Sequence, residues 1–401
     1  MKKLLCFLIC IFISINVYAL DLSSKNVVLY NLNDDTVVYE IASDEKVSIA
    51  SLTKIMTTLV AIEHIDDMDA EVTITYDMIY DLIAKNAAVI GFKTGEKLTY
   101  KDLLYATFLP SAADGARGLA LTLASSEEEY VGWMNDKAKK MGLTNTHFAN
   151  VIGLDDKENY GTANEVAIML KEALKNQIFK EMFETSEYTL TNGMKAKSSM
   201  RTSANTYHLN IDYIVGGKTG YTDDAGKCLA SVANDSTNDI KYMLINIGAS
   251  TAKDNAYHIL DATEIYNYYF ENYKYYDLVN IGYKVTSLDT IYSRDDVDII
   301  VNKDIKYYTN EVNDDLLEIT YDGVNEVKAG TKKGTKLGVI HVNYDGKTID
   351  DLDVYLNKDI SFSINEFIKA HIRLIILMVI TFVCMTLLIV KLNTRRKVKI
   401  A

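Results

Sequence analysis

Ala50-Ser51-Leu52-Thr53-Lys54-Ile55-Met56-Thr57 is the stretch on which the reading of this chain turns. The apolar run after Ser51 keeps helical spacing through about His64, so Ser51 and Lys54 stand three residues apart on one helix face, where their side chains meet. A serine hydroxyl is a weak nucleophile until a neighbouring base takes its proton. A lysine held among other cations and partly desolvated has a lowered pKa and takes that proton near neutral pH. The helix N-terminus also favours negative charge developing at Ser51. The same spacing recurs at Ser43-Asp44-Glu45-Lys46, but that segment is charged and no helix comes after it, so it reads as a solvated turn.

Working outward, Lys218-Thr219-Gly220 closes a strand-like run from Tyr213 and precedes two more, Lys227–Ala233 and Tyr242–Gly248. A lysine on a strand edge holds a substrate carboxylate well, and a neighbouring threonine hydroxyl shares it. A second Lys-Thr-Gly, at Lys93-Thr94-Gly95, sits between Phe92 and Glu96 in a surface turn. Asn26–Tyr30 and Thr36–Ile41 predict a hairpin. Helices are predicted near Lys101–Leu109, Gly115–Ala124, Glu127–Met141, Ala163–Leu174 and Ala256–Tyr269. From Tyr276 to Phe362, short strand-like stretches broken by Asp, Asn and Gly indicate a small all-β module.

The ends suggest where the chain works. Residues 1–19 read as an export signal: Lys2 and Lys3, an apolar Leu4–Val17, then the small-residue site Val17-Tyr18-Ala19. Residues 374–392 predict a membrane span, and the basic tail at 393–401 predicts a cytoplasmic end. Between them, 20–274 is expected to be the first domain and 275–365 the all-β domain. Residues 20–368 hold 33 of the 42 basic residues and all 55 acidic ones, a net charge near −22. No basic patch is available to neutralise phosphates, so nucleic acid is an unexpected partner.

Cys228 is the single cysteine expected outside, in the apolar run Cys228-Leu229-Ala230-Ser231-Val232, where a small buried hydrophobe is the ordinary role. The histidines, His64, His147, His208, His258, His341 and His371, show neither H-E-x-x-H nor any close ligand spacing, so no metal and no cofactor is expected. The tyrosines gathered at Tyr266, Tyr268, Tyr269, Tyr273, Tyr275 and Tyr276 are expected to pack an interdomain surface.

Taken as a set, the Ser51 stretch, Leu103-Leu104-Tyr105 to Leu109-Pro110-Ser111, Gly153-Leu154-Asp155-Asp156 and Gly217-Lys218-Thr219-Gly220-Tyr221-Thr222 through Ala225-Gly226 resemble the low-molecular-weight penicillin-binding proteins. The specific likeness is to the D-alanyl-D-alanine carboxypeptidases of the serine peptidase S11 family, over roughly residues 25–270. The resemblance implies an α/β (α+β) penicillin-binding, β-lactamase-like transpeptidase fold. That fold has an antiparallel sheet flanked by helices, then a small all-β domain and a C-terminal transmembrane helix. It implies Ser51 as nucleophile, Lys54 as general base and Ser111 as proton relay. Lys218 and Thr219 would bind the terminal carboxylate of a peptidoglycan stem peptide ending in D-Ala-D-Ala. Gly220 and Tyr221 complete the substrate-binding strand, and the N–H groups of Ser51 and Tyr221 would form the oxyanion hole. β-Lactams would acylate Ser51.

One departure stands out. The family's second motif is S-x-N, and here it reads Ser111-Ala112-Ala113. That asparagine ordinarily hydrogen-bonds the active-site lysine and the substrate backbone, so its loss costs about 1–3 kcal/mol, or ten- to a hundredfold in rate. Asp114 is not expected to replace it, and Ser203-Ala204-Asn205 reads as a chance match with a structural role. Two other functions stay open at this point. One is a catalytically weak or inactive wall-binding scaffold. The other is a β-lactamase, which has no use for an all-β module and a membrane tether.

Overall fold

The computed structural model describes residues 20–398, so the export signal expected at 1–19 and the end of the basic tail lie outside the described residues. Strand β1 (Asn26–Asn31) is buried at every residue, as a central strand with a continuous apolar run should be. It pairs antiparallel with β2 (Thr36–Ile41) on one side and β9 (Ile240–Ala249) on the other. The sheet continues through β8 (Gly226–Asp235) to β7 (Ile214–Thr222), in the order β2-β1-β9-β8-β7. Strand β7 is therefore an edge strand, paired only with β8, with Lys218 opposite Ala230 and Thr219 opposite Leu229.

Helix α1 (Thr53–His64) is buried on every face from Thr53 to Ile62, the signature of a helix at the centre of a domain. It packs against α3 (Tyr100–Phe108), α4 (Ala113–Leu123), α5 (Glu127–Lys140) and α6 (Ala163–Ala173). The short α2 (Tyr76–Ile79) lies between the strands of a ribbon, β3 (Glu71–Thr73) and β4 (Lys97–Thr99). Several helix starts carry their own caps in sequence: Thr99 with Asp102 forms a capping box, and Ser126 and Thr162 accept an N–H from the first turn of α5 and α6. After α7 (Gln177–Glu184) and a second ribbon, β5 (Glu187–Thr189) with β6 (Lys195–Lys197), α8 (Ser199–Thr206) leads into β7. Helix α9 (Tyr257–Asn272) closes this unit against β8 and β9.

Three expectations need amending. The helix predicted from Ser51 starts at Thr53, and Ala50–Leu52 forms a 3-10 turn entered through Ala50 at φ +46°, which tightens the approach to the helix. Helices α2, α7 and α8 were not predicted. Tyr266 and Tyr269, expected on an interdomain surface, are buried on α9 inside the first unit, with Tyr266 hydrogen-bonded to Ser231 at 2.9 Å and Tyr269 donating to the Val38 carbonyl at 2.8 Å.

A second compact unit begins at Tyr273. Strand β10 (Lys274–Val279) pairs with β13 (Ile305–Thr309), and β11 (Lys284–Ile291) lies between β12 (Val297–Ile300) and β15 (Glu326–Lys328). The longest sheet joins β14 (Leu317–Gly323), β16 (Lys336–Tyr344) and β17 (Lys347–Tyr355). Ile299, Val301, Ile340 and Val342 are fully buried at the core of this unit. Helix α10 (Ile364–Val398) comes next, and its stretch Ile364–Leu392 is long and apolar enough to cross a membrane, with a mean hydropathy of 2.8 over 18 of its residues and none of those buried.

Candidate active site

Ser51 sits in the 3-10 turn directly ahead of α1. The left-handed Ala50 before it rests on Gly153, itself at φ +78°, where an added Cβ would lie 2.0 Å from the Ala50 carbonyl oxygen. Only glycine fits there. The Gly153 loop is shaped by Asn150, whose Oδ1 accepts the N–H groups of Ile152, Gly153 and Leu154 at 3.3, 2.7 and 3.0 Å. That loop in turn presents the Ile152 carbonyl to Lys54.

Lys54, in the first turn of α1, is 2% exposed. Its Nζ donates to Ser51 Oγ at 3.0 Å and to Ile152 O at 2.6 Å. Burial pulls the Lys54 ammonium down to about 7, against a smaller upward pull from the Asp114 carboxylate. The spacing read from sequence thus brings the hydroxyl and the amine into hydrogen-bond contact.

Ser111 occupies the turn between α3 and α4 with φ +66°, and its Oγ accepts a 2.8 Å hydrogen bond from Lys218 Nζ. Lys218 also donates to the Thr219 carbonyl at 2.8 Å and lies 6.0 Å from the centre of the Phe108 ring. Its side chain is fully buried, facing inward with Gly216 and Gly220 on the alternating β7. Burial, and next the Lys54 cation, push the Lys218 ammonium well below its ordinary range. Gly220 brings β7 against the 3-10 turn, where an added Cβ would stand 3.0 Å from Ser51 N. Tyr221 is 54% exposed and its hydroxyl donates to Asp223 at 2.8 Å.

Ser51, Lys54, Ser111, Thr219, Gly220 and Tyr221 line one cleft of about 460 Å³, together with Asn86, Ala87 and Ala88, Ser199 and Ser203, and Lys227 and Lys253, whereas the fully buried Lys218 is not part of its lining. Ala113 lies on its wall at the first position of α4, its N–H donating to the Ala88 carbonyl at 2.6 Å. Asp114 points elsewhere: its carboxylate accepts the N–H groups of Ile90, Gly91 and Phe92 at 3.1, 2.9 and 3.1 Å. Those bonds pin the neighbouring loop and leave the amide of the S-x-N motif without a replacement from Asp114.

The look-alike motifs separate. Ser43 is tied to Glu40 and Asn164, Lys46 lies over the Tyr160 ring, and neither lines the cleft. Lys93-Thr94-Gly95 is a turn ahead of β4 with Gly95 at φ +88°. Cys228 is fully buried and its thiol is pushed up to about 12. Ser203, by contrast, faces the cleft from α8, as does Ser199. Sequence reasoning missed Ser199, Asn150 and Ile152, the first because its helix went unseen and the other two because they act through backbone geometry.

A sequence profile described as D-alanyl-D-alanine carboxypeptidase matches residues 14–251. The chain belongs to that family. It is an S11 serine peptidase, a hydrolase with the penicillin-binding fold. A second profile, the C-terminal domain of penicillin-binding protein 5, matches residues 273–361. The chain is 28% identical over 342 residues to the D-alanyl-D-alanine carboxypeptidase DacF of Bacillus subtilis, covering 84% of this chain and 85% of that one. It is 33% identical over 254 residues to a D-alanyl-D-alanine carboxypeptidase of Streptomyces sp. strain K15, covering 60% of this chain and 84% of the relative. Among solved structures, a mutant of the Streptomyces K15 DD-transpeptidase superposes with a TM-score of 0.55 at 27% identity, covering 62% of this carboxypeptidase-family chain and 98% of its own. Penicillin-binding protein 5 of Haemophilus influenzae gives 0.61 at 20% identity over 85% of this chain and 98% of its own, a likeness of fold alone.

Proposed function

We propose that this carboxypeptidase removes the terminal D-alanine from peptidoglycan stem peptides through an acyl-enzyme on Ser51. The observation that carries the reading is the 3.0 Å contact between Lys54 Nζ and Ser51 Oγ, with Lys54 held at about 7 and therefore largely neutral just above that pH. Lys54 takes the Ser51 proton as Oγ bonds to the penultimate D-alanine carbonyl carbon. The N–H groups of Ser51 and Tyr221 stabilise the oxyanion. The C–N bond breaks, Ser111 gives its proton to the leaving nitrogen, and the Lys218 ammonium reprotonates Ser111 across their 2.8 Å bond. In the second half water attacks the ester, its proton passes back through Ser111 to Lys218, and Ser51 recovers its own from Lys54.

In this reading Lys218 acts on the substrate from behind. It is fully buried, so its charge attracts the terminal carboxylate while the half-buried Thr219 hydroxyl touches it. The arriving carboxylate also favours the protonated form of Lys218 and so supplies the cation the relay needs. A β-lactam, matching the acyl-D-Ala-D-Ala end, acylates Ser51 by the same steps.

D-Alanine release from a diacyl-Lys-D-Ala-D-Ala peptide, followed beside intact-protein mass spectrometry after benzylpenicillin, tests the proposal. The expected result is release together with a single penicilloyl adduct that maps to the Ser51 peptide. A folded protein that shows neither is the scaffold of the alternative reading.

Ala113 sets the rate. Lys54 has three N–H donors when charged, and two are spent on Ser51 and Ile152. An amide at position 113 would offer the third an acceptor, so Ala113→Asn should raise kcat/KM by about tenfold, one well-placed hydrogen bond's worth. Steady-state kinetics on the same peptide checks this, and a fall or no change would mean the cleft has closed around alanine.

Helix α10 is proposed to tether the enzyme to the membrane, with the catalytic unit on the extracytoplasmic side. The basis is its exposed apolar length and the basic residues at its end, Lys391, Arg395, Arg396, Lys397 and Lys399. A chain truncated after Ser363 should leave the alkaline-washed membrane fraction and appear in soluble form with unchanged D-alanine release. Retention on membranes would assign the anchor elsewhere.

A further inference from the structure

We propose that Ser199 is a positioning residue that orients the Thr219 hydroxyl toward the substrate's terminal carboxylate, an inference resting on the acyl-enzyme reading above. Ser199 Oγ and Thr219 Oγ1 are 2.5 Å apart, and both line the cleft. A hydroxyl pair this close shares one hydrogen, and which oxygen donates depends on what else the pair meets. A carboxylate only accepts, so Thr219 must donate to it. Ser199 then donates to Thr219, and the two bonds polarise each other in the same direction.

The frame around Ser199 is built to hold this direction. Its own N–H donates to the Leu109 carbonyl at 2.9 Å, two residues before Ser111. Two residues on, the Arg201 guanidinium donates to the carbonyls of Ile214 and Val215 at 3.1 and 3.2 Å, fastening α8 to the start of β7. Between these ties, Met200 packs so closely on Gly217 that an added Cβ would lie 2.6 Å from its sulfur. Helix α8 is thus fixed to β7 at the level of residues 214–215, 217 and 219, and the Ser199 hydroxyl is the contact that reaches the cleft. Ser203, four residues on and so on the same face, continues the polar wall.

The test compares two substrates for the full chain: the diacyl-Lys-D-Ala-D-Ala peptide, and a thioester of the same acyl chain whose leaving group carries no carboxylate. Ser199→Ala should lower kcat/KM on the peptide by about tenfold, mainly through KM, as expected for one charge-assisted hydrogen bond. The loss on the thioester should be at least fivefold smaller, and Ser199→Thr should recover most of the peptide activity. Equal losses on both substrates would reduce Ser199 to a brace for β7 and overturn the inference. So would an unchanged KM for the peptide. A wild-type chain that turns over neither substrate would overturn the acyl-enzyme reading first and this inference with it.

Discussion

Ser51→Ala, Lys54→Met and the double variant should each lower kcat/KM for D-alanine release by a similar factor, on the order of 10⁴ or more, because in the proposed mechanism nucleophile and base act as one unit. Methionine keeps the bulk of the lysine stem in a site that is 2% exposed, so the fold should survive while the amine is lost. Only the neutral amine takes the Ser51 proton. With Lys54 at about 7, the acidic limb of wild-type kcat/KM should therefore fall tenfold per pH unit below about pH 7. Asp114 gives the sign a second check. Its carboxylate favours the charged amine, so Asp114→Asn should carry the acidic limb to lower pH. A limb that stays put, or a double variant far slower than either single one, would separate Lys54 from Ser51.

Much of this site was legible because its chemistry sits in short local patterns. Ser51 and Lys54 were told from Ser43 and Lys46 by the apolar run on their C-terminal side, which becomes α1 and is buried from Thr53 to Ile62. The strands β7, β8 and β9 announced themselves by apolar content, and β7 carried its Lys-Thr-Gly in register. Helix α7 was also legible in principle, since Phe179, Met182 and Phe183 recur at helical spacing behind the cap Asn176. Helix α8 was not. In Ser199–Thr206 only Met200 and Ala204 are buried, and Ser199, Thr202, Ser203, Asn205 and Thr206 are poor helix formers, so the helix leans on Arg201 and Ser199, which fasten it to β7. The same holds for Ile152, whose contribution is a carbonyl aimed by Asn150. Strand alternation pointed Lys218 inward, but its complete burial is due to Phe108 and Ser111, which come from a distant helix and the turn after it.

Gly220→Ala should lower kcat on the order of 10²-fold with KM nearly unchanged, the loss expected when an oxyanion-hole donor is pushed off its position. The alternation of β7 turns residue 220 toward the 3-10 turn, and a Cβ there would meet Ser51 N at 3.0 Å and Ala50 Cβ at 3.1 Å. Neither neighbour yields easily. Ala50 is already held in the left-handed region, with its carbonyl against Gly153, so the turn has no slack on its far side. The added methyl must therefore push β7 outward or rotate the Ser51 N–H, and either change would spoil the donor pair proposed with Tyr221. Because the tetrahedral centre feels this pair and the carboxylate end does not, substrate affinity should hold while turnover falls. In the proposed mechanism penicillin acylation would pass through the same oxyanion, so it should slow by a comparable factor in stopped-flow measurements. A variant that kept kcat and lost KM instead would place the close approach of Gly220 in substrate binding and move the oxyanion hole away from Ser51.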